Sequence, residues 1–256
     1  LGLVGSEMCI RDSLRIMKKN FNYILTALLF CLLTVSCQDN ENWRIIPYEP
    51  EPEAPLEGPA ELRIAGDQQG WNPEAEVIGK LYPVKNDEGE MAGDYAGYVH
   101  LNSQFKICPN ASWDGAYGVG DDTPAGSMTV GDGLNNLTVS EPGYYYVKCN
   151  INDLTWSADV VNFGVIGSAT PGQWDEDTDL VYDETDLKLK VTITLTDGEI
   201  KFRANDEWNV PNGDFGAGEE EGKLAAGAGN IAVSAGTYQI VVDLSTPDYS
   251  YEMIAQ

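Results

Sequence analysis

The sequence predicts an all-β protein built from two tandem β-sandwich domains. Beyond residue 60, apolar and polar residues alternate in short runs separated by Gly, Asn, Asp and Pro, which is the pattern of half-buried strands joined by turns. No segment there keeps a helical period over ten or more residues, so only short helical connectors are expected. Half-buried antiparallel strands bury their apolar faces in two packed layers, as in immunoglobulin-like sandwiches.

The first 36 residues are predicted to be absent from the mature protein. Residues 1–16 are interpreted as translated upstream sequence, because residues 3–13 resemble a sequencing adapter. Residues 17–36 begin Met-Lys-Lys and contain an apolar run at 24–35, shorter than the roughly 20 residues that a membrane-spanning helix needs. A small residue then precedes Cys37, which resembles a lipobox. We therefore expect a lipoprotein signal peptide and a lipidated Cys37.

Residues 37–60 are predicted to be an extended linker. The acidic tract at 38–41 resembles the surface-export signal of lipoproteins in Gram-negative gut anaerobes. Five prolines among glutamates follow between residues 41 and 61, a composition that favours extended polyproline conformation over a packed core. These features predict an outer-membrane protein, lipid-anchored and facing the cell exterior.

The charge of the chain narrows the choice of partner. Lys and Arg number 15 against 41 Asp and Glu, a formal net charge of −26. A field of this sign repels nucleic acid and anionic lipid headgroups and favours a neutral ligand or a cation. Acidity also keeps an exported domain soluble, and this simpler explanation stays open. One His and no CxxC pair leave no zinc ligand set, so we predict no metal and no cofactor.

The rest of the chain is predicted to be an internal repeat of two domains, domain 1 at residues 61–161 and domain 2 at residues 162–256. Gly and Trp positions recur in order, and a Gly-aromatic strand closes each copy. The matched positions are Gly66, Trp71, Gly143, Tyr145 and Trp156 in the first copy and Gly167, Trp174, Gly236, Tyr238 and Tyr249 in the second. The predicted strands are 62–64, 98–101, 105–108, 144–151, 187–195, 199–203 and 237–244.

A cation and an aromatic residue stand at the same spacing in both copies, at Lys106 and Trp113 and at Lys201 and Trp208. Strand alternation places Lys201 and Arg203 together on the solvent side of their strand. A Trp in a polar loop beside cations is costly unless a ligand covers it. An indole face stacks on the apolar face of a sugar ring, and cations and amides donate to its hydroxyls. The alternative, in which the Trp side chains fold back over the sandwich edge, stays open.

A family resemblance rests on three stretches: 167–174 with its final Gly-Gln-Trp, 200–209 reading IKFRANDEWN, and Gly-Thr-Tyr at 236–238. Together with the lipobox, these resemble the C-terminal carbohydrate-binding domains of the SusE/SusF outer-membrane starch-binding lipoproteins. The resemblance implies a non-catalytic surface protein that binds α-glucans and acts with a glycan importer complex. It implies a platform of Trp174, Lys201 and Trp208, supported by Arg203 and Asn205. The first-domain counterparts are Trp71, Lys106, Asn110 and Trp113.

Domain 1 departs from this pattern. Cys108 stands where Arg203 is expected, and a Gly- and Asp-rich insertion runs from residue 118 to 136, so the first site is altered relative to the second. Alternation directs Cys149 to the core and Cys108 outward, which disfavours a disulfide between them. In domain 2, no aromatic residue follows Trp208 before Phe215. The sequence therefore predicts glycan binding and leaves open which glycan is bound.

The sequence is open to three other hypotheses. Asp175, Asp177, Asp179 and Asp186 imitate a calcium loop, but Leu180 stands where the turn needs Gly. Glycoside hydrolysis needs a pair of carboxylates, and no pair stands out from the acidic background, so no catalytic residue is predicted. A surface adhesin built from paired sandwiches would explain the fold and the anchor but not the repeated Lys-to-Trp spacing.

Overall fold

A computed structural model describes residues 58–256, which contain 19 strands, one short 3-10 helix and no α-helix. The all-β prediction is confirmed. The predicted signal peptide, Cys37 and most of the linker lie outside the described residues. Within 58–256, no helix has the length and apolar character needed to cross a membrane.

The first half of the described chain, residues 58–161, holds nine strands and the 3-10 helix Asp67–Gln69. The strands are β1 Leu62–Gly66, β2 Gly79–Pro83, β3 Asp94–Leu101, β4 Gln104–Cys108, β5 Tyr117–Gly118, β6 Thr129–Val130, β7 Leu137–Thr138, β8 Gly143–Asn150 and β9 Thr155–Val160. The second half, residues 162–256, holds the other ten. These are β10 Phe163–Ile166, β11 Thr178–Asp179, β12 Val181–Asp183, β13 Lys188–Leu195, β14 Gly198–Ala204, β15 Asp214–Ala217, β16 Leu224–Ala226, β17 Ile231–Val233, β18 Gly236–Asp243 and β19 Ser250–Ala255.

The nine strands of the first half form one sheet that closes around its own core. Their order is β6-β5-β4-β1-β2-β3-β8-β9, with β7 paired to β4. Strand β2 joins two parts of this sheet, one around β1 and β4 and the other around β3 and β8. Leu81 pairs with Leu62 of β1, and Tyr82 pairs with Ala96 of β3. Leu62, Phe105, Val99 and Val147 meet in one buried cluster, so the two parts face each other.

The second half has two separate sheets. One runs β11-β10-β14-β15-β16, with β17 paired to β14, and the other runs β12-β13-β18-β19. Val165 and Phe202 of the first sheet meet Ile193 and Ile240 of the second in one buried cluster, which makes this half a sandwich. The repeat is visible in the register, because Lys106 pairs with Ala65 of β1 and Lys201 pairs with Ile166 of β10.

One predicted correspondence is wrong. Gly143 and Gly236 each begin the equivalent strand, β8 and β18. In β8, Cys149 pairs with Trp156, but at the same place in β18 Val242 pairs with Tyr251. Trp156 therefore matches Tyr251 instead of Tyr249. The turn before β19 is longer than the turn before β9, so equal spacing from the glycine was misleading.

The two halves share an aromatic contact. Tyr98 of β3 and Tyr144 of β8 belong to the buried cluster of the second half, although both lie in the first. Their strand neighbours Val99 and Tyr145 face the first core, as alternation requires. Both faces of β3 and β8 are thus covered. The domain boundary at 161/162 stays a prediction, because the described residues, 58–256, all belong to one compact unit.

The two cysteines of the described chain are free and buried. Cys149 lies in the first core, as predicted. Cys108 points to the opposite side of its sheet, also as predicted, but it is fully buried in a small separate cluster with Ala65, Ile78 and Ala116. Alternation gave the direction of Cys108 correctly, and a neighbouring loop covers it.

Candidate functional site

Trp174 and Trp208 lie side by side on the surface of the second half. Trp174 is in the loop between β10 and β11, and Trp208 is in the loop between β14 and β15. Their ring centres are 6.2 Å apart with an angle of 44° between the planes. The exposed fractions are 37% and 42%, so neither ring is folded back into the core. The pair presents two adjacent apolar faces to solvent.

Backbone hydrogen bonds fold the Trp174 loop tightly. The Gly167 amide donates to the Gln173 carbonyl at 2.9 Å, and the buried Thr170 hydroxyl donates to the Gly167 carbonyl at 3.0 Å. Gln173, directly before the Trp, has a left-handed backbone with φ of +52°. These contacts fix the place from which Trp174 projects.

The Trp208 loop begins with two left-handed residues, Asn205 and Asp206, each with φ of +57°. The side chain of Asn205 is held by backbone at the join between the halves. Its Oδ1 accepts from the Asn162 amide at 2.8 Å, and its Nδ2 donates to the Val160 carbonyl at 2.9 Å. Both polar ends are therefore engaged within the chain. This placement differs from the predicted role of Asn205 as a donor to a ligand.

Two cations lie against Trp208. The Lys201 Nζ is 5.6 Å from the ring centre, and the Arg203 guanidinium carbon is 5.1 Å away, both within range of a cation-π interaction. Lys201 pairs with Asp214 at 2.7 Å, and Arg203 Nε donates to Asp177 at 3.0 Å. The Arg203 side chain is only 7% exposed. Its predicted solvent exposure is wrong, because Asp177 and Trp208 cover the outer side of β14 at this point.

A group of three carboxylates adjoins the arginine. Oxygens of Asp177, Asp179 and Asp206 lie within 4.8 Å of one another, a different set from the predicted calcium loop. Burial, then a hydrogen bond with Asp206, raises the pKa of Asp177, and Arg203 opposes the rise. Asp177 is thus already partnered by Arg203 on one side and Asp206 on the other.

The first half carries the same arrangement of two tryptophans. Trp71 and Trp113 have ring centres 6.4 Å apart at an angle of 34°, and Trp113 is 42% exposed. The indole nitrogen of Trp71 donates to Asp67 at 3.0 Å, which fixes that ring. Trp113 is therefore exposed like Trp174 and Trp208, whereas Trp71 is half-buried.

Lys106 differs from Lys201 in its partners. Its Nζ donates to the backbone carbonyls of Leu134 at 2.7 Å and Asn135 at 3.0 Å, within the insertion that the sequence marks as a departure. Burial lowers the pKa of Lys106. Asn110 is exposed, and its Oδ1 accepts from the Ser112 hydroxyl at 2.6 Å. Backbone carbonyls of the insertion thus bind the Lys106 ammonium group, whereas the Asp214 carboxylate binds that of Lys201.

Sequence reasoning missed a basic residue in the first half. Arg63 of β1 pairs in register with Cys108, whereas Arg203 pairs with Gly164 of β10. The first half therefore carries an arginine on the neighbouring strand, at the position equivalent to Gly164, and a cysteine at the position equivalent to Arg203. Arg63 donates to the Pro73 carbonyl at 2.7 Å and pairs with Glu61 at 3.1 Å. An alignment of β1 with β10 would have shown that Arg63 is at the position equivalent to Gly164.

One solved structure is similar to this chain. It is the crystal structure of SusF from Bacteroides thetaiotaomicron, with 21% sequence identity and a TM-score of 0.41. The match covers 76% of this chain and 48% of SusF, so the chain spans about half the length of that protein. No family model and no curated protein matches the sequence.

Proposed function

We propose that this protein is a non-catalytic cell-surface lipoprotein that binds polysaccharide, with an α-glucan such as starch as the preferred ligand. The observation that carries the proposal is the repeated pair of surface tryptophans, Trp71 with Trp113 and Trp174 with Trp208. Single exposed apolar side chains are ordinary on a protein surface, whereas adjoining indole rings repeated in both halves, three of them exposed and Trp71 half-buried, indicate a binding surface.

The geometry suits a sugar polymer. Each indole offers a flat apolar face to one pyranose ring, and adjacent rings can hold consecutive sugars. The planes within each pair are tilted by 34° and 44° instead of being coplanar. Tilted faces fit a chain that curves, as α-1,4-linked glucose does, better than a flat β-1,4-linked chain. This tilt favours an α-glucan.

The polar surroundings favour a neutral ligand. Lys201 lies beside Trp208, and it remains half-buried while paired with Asp214. The Lys201 side chain is only 12% exposed and Asp214 already balances its charge, so Lys201 does not call for an anionic ligand. The net charge of −26 opposes binding of acidic polymers. A neutral glucan needs no free cation in the site and is not repelled by the negative charge of the protein.

The proposed biological setting follows from the N-terminal sequence. A lipid on Cys37 and an extended linker would hold the two tryptophan pairs away from the outer membrane, facing the exterior. There the protein would capture glycan for uptake, next to a glycan importer complex. The lipid anchor and this partner are proposed from the sequence resemblance.

Native affinity electrophoresis tests the proposal. A soluble protein of residues 58–256 is run through gels containing amylopectin, dextran, levan, xylan or no polysaccharide. We expect retardation by amylopectin, lost when all four tryptophans are replaced by Ala. The control is Val181→Ala, which removes a 70% exposed apolar side chain away from either pair. Retardation by another polymer only would discard starch, and no retardation in any gel would favour the adhesin hypothesis.

A further inference from the structure

The loop that carries Trp208, residues 205–213, is held at both ends by residues outside it. At its start, the Asn205 side chain bonds the backbone of Val160 and Asn162 at the join. Near its end, the Asn212 carbonyl accepts a hydrogen bond from the Tyr98 hydroxyl of the first half. The loop of the second site is therefore tied directly to the first half.

Tyr98 is well placed to act as a fixed support. Its side chain is 3% exposed and packs edge-on against Phe163 and Phe215, with ring centres 5.6 and 6.1 Å away. It also lies 4.8 Å from the ring of Tyr146. Burial raises its pKa far above the ordinary value, so the hydroxyl keeps its proton and donates. A ring packed on several sides has little freedom to move its hydroxyl.

The equivalent loop of the first half, residues 109–116, is bonded only within the first half: the Gly131 amide donates to the Ala116 carbonyl, and among the described residues the loop has no hydrogen bond to the second half. Asn110, at the position of Asn205, accepts only from Ser112 within its own loop. The Ala116 amide donates to the Trp113 carbonyl at 3.1 Å, again inside the loop. The two sites therefore differ in what holds the second tryptophan of each pair.

We propose that Tyr98 and Asn205 are positioning residues for the Trp174 and Trp208 pair, so that the second site keeps its geometry only while the first half is packed against it. Neither residue touches the ligand in this scheme. Each acts by fixing one end of the Trp208 loop. The inference rests on the proposed glycan-binding function, and it makes the second site dependent on the first half.

The binding test separates the two sites. Tyr98→Phe removes one hydroxyl and keeps the ring, and Tyr146→Phe is the matched control, because its hydroxyl has no hydrogen-bond partner among residues 58–256. Each is made in a Trp71→Ala/Trp113→Ala background, in which only the second site binds, and in a Trp174→Ala/Trp208→Ala background. Affinity for maltooligosaccharide is measured by calorimetry well below the unfolding temperature.

We expect Tyr98→Phe to weaken the second site by about threefold to tenfold, the effect of losing one hydrogen bond. The first site should be unchanged, and so should both sites in Tyr146→Phe. Asn205→Gly keeps the left-handed backbone and removes both side-chain hydrogen bonds, so it should weaken the second site and leave the first site unchanged. Equal affinities for Tyr98→Phe and Tyr146→Phe at the second site would overturn the proposal.

A second readout does not depend on glycan. Amide hydrogen exchange follows the Ala204 amide, which donates to the Gly213 carbonyl at 2.7 Å, and the Gly213 amide, which donates to the Val210 carbonyl at 3.0 Å. Both should exchange faster in Tyr98→Phe, with the Ala116 amide unaffected. Faster exchange without any glycan binding would reject the proposed function and keep the loop support. Unchanged exchange would reject the support itself.

Discussion

Arg203 supports the ring of Trp208 from within the protein. Its guanidinium carbon is 5.1 Å from the ring centre, and its side chain is 7% exposed. A buried guanidinium held by Asp177 is poorly placed to donate to a ligand, and it fixes the ring through a cation-π contact. The resemblance-based role of Arg203 as a ligand donor is thus better replaced by that of a support.

Breaking this pair should destabilise the protein strongly. Arg203→Met leaves Asp177 buried at 3% side-chain exposure without its cation. Loss of one partner from a buried pair costs about 3–5 kcal/mol. The double variant Asp177→Asn/Arg203→Met should recover part of that loss, because no unpaired charge remains. Urea unfolding measures both, and a cost below about 1 kcal/mol for Arg203→Met would show that the pair is solvated.

A methyl group at Gly164 should disturb the same pair. A Cβ built there would lie 2.6 Å from the Asp177 Cγ, closer than real carbon contacts. Gly164→Ala should therefore cost about 1–3 kcal/mol of stability through overpacking. It should also weaken the second site while sparing the first. Gly229→Ala is the control, because a Cβ there meets no atom within 4 Å. Equal melting temperatures for the two variants would refute the expectation.

Asp206→Asn should stabilise the protein at neutral pH. The pKa of Asp177 is raised by burial and then by its hydrogen bond with Asp206. Between the ordinary value near 3.8 and the raised pKa of the folded state, the folded protein binds this proton more than the unfolded chain does, so the contribution of Asp177 to stability falls as pH rises through that interval. Asn tolerates the left-handed backbone, removes the like charge and offers a donor, which lowers the pKa of Asp177.

The check is chemical unfolding of wild type and Asp206→Asn across a pH series. The variant should be the more stable at pH about 7, and the difference should shrink as pH falls to about 3, below the ordinary pKa, where Asp177 is protonated in both states. A difference that does not change with pH would contradict this account.

His100 should make the protein less stable in mild acid. Its ring stacks on Tyr182 with centres 4.7 Å apart, and Glu184 lies 3.9 Å away. Burial lowers the pKa of His100 below the ordinary 6.5, against the opposing effect of Glu184. The unfolded chain therefore binds the proton first, and stability falls as pH drops below 6.5. Melting temperatures from pH about 7.5 to 5 should fall less in His100→Gln than in wild type. Parallel curves would rule out His100 as the source.

Cys108 and Cys149 should resist alkylation in the folded protein. Burial raises the pKa of Cys108 to about 11 and that of Cys149 to about 12, so almost no thiolate exists at pH 8. Iodoacetamide should label both only after unfolding, as read by peptide mass spectrometry. Rapid labelling of native Cys108 would mean that the loop covering it opens.

The sequence predicted features that depend on local pattern. Strand alternation set Ile200 and Phe202 inward and Lys201 outward, and the structure agrees. Each of the seven predicted strands is present. The polar loop around Trp208 indicated an exposed indole, and it is exposed. These properties follow from the period of two along a strand and from the cost of burying polar loops.

Pattern alone also located both lysines at equivalent positions, because a repeated spacing reflects a repeated register. It failed at Trp156 and Tyr249, where a longer turn shifted the strand that follows. When two equivalent turns differ in length, equal residue counts across them do not reach equivalent positions. Residue counts within a strand therefore predict equivalent positions better than counts that cross a loop.

By itself, the sequence determined the all-β class, seven of the described strands, the faces of the side chains along them and the positions of the two tryptophan pairs. Only the tertiary structure decided what lies over each side chain. Arg203 is buried under Trp208, and the side chain of Asn205 is hydrogen-bonded at the join between the halves. The arginine of the first half is Arg63 on β1, and the Trp208 loop is hydrogen-bonded to Tyr98. The physical reason is that alternation fixes the face on which a residue lies, whereas burial and hydrogen bonding depend on loops and strands distant in the chain.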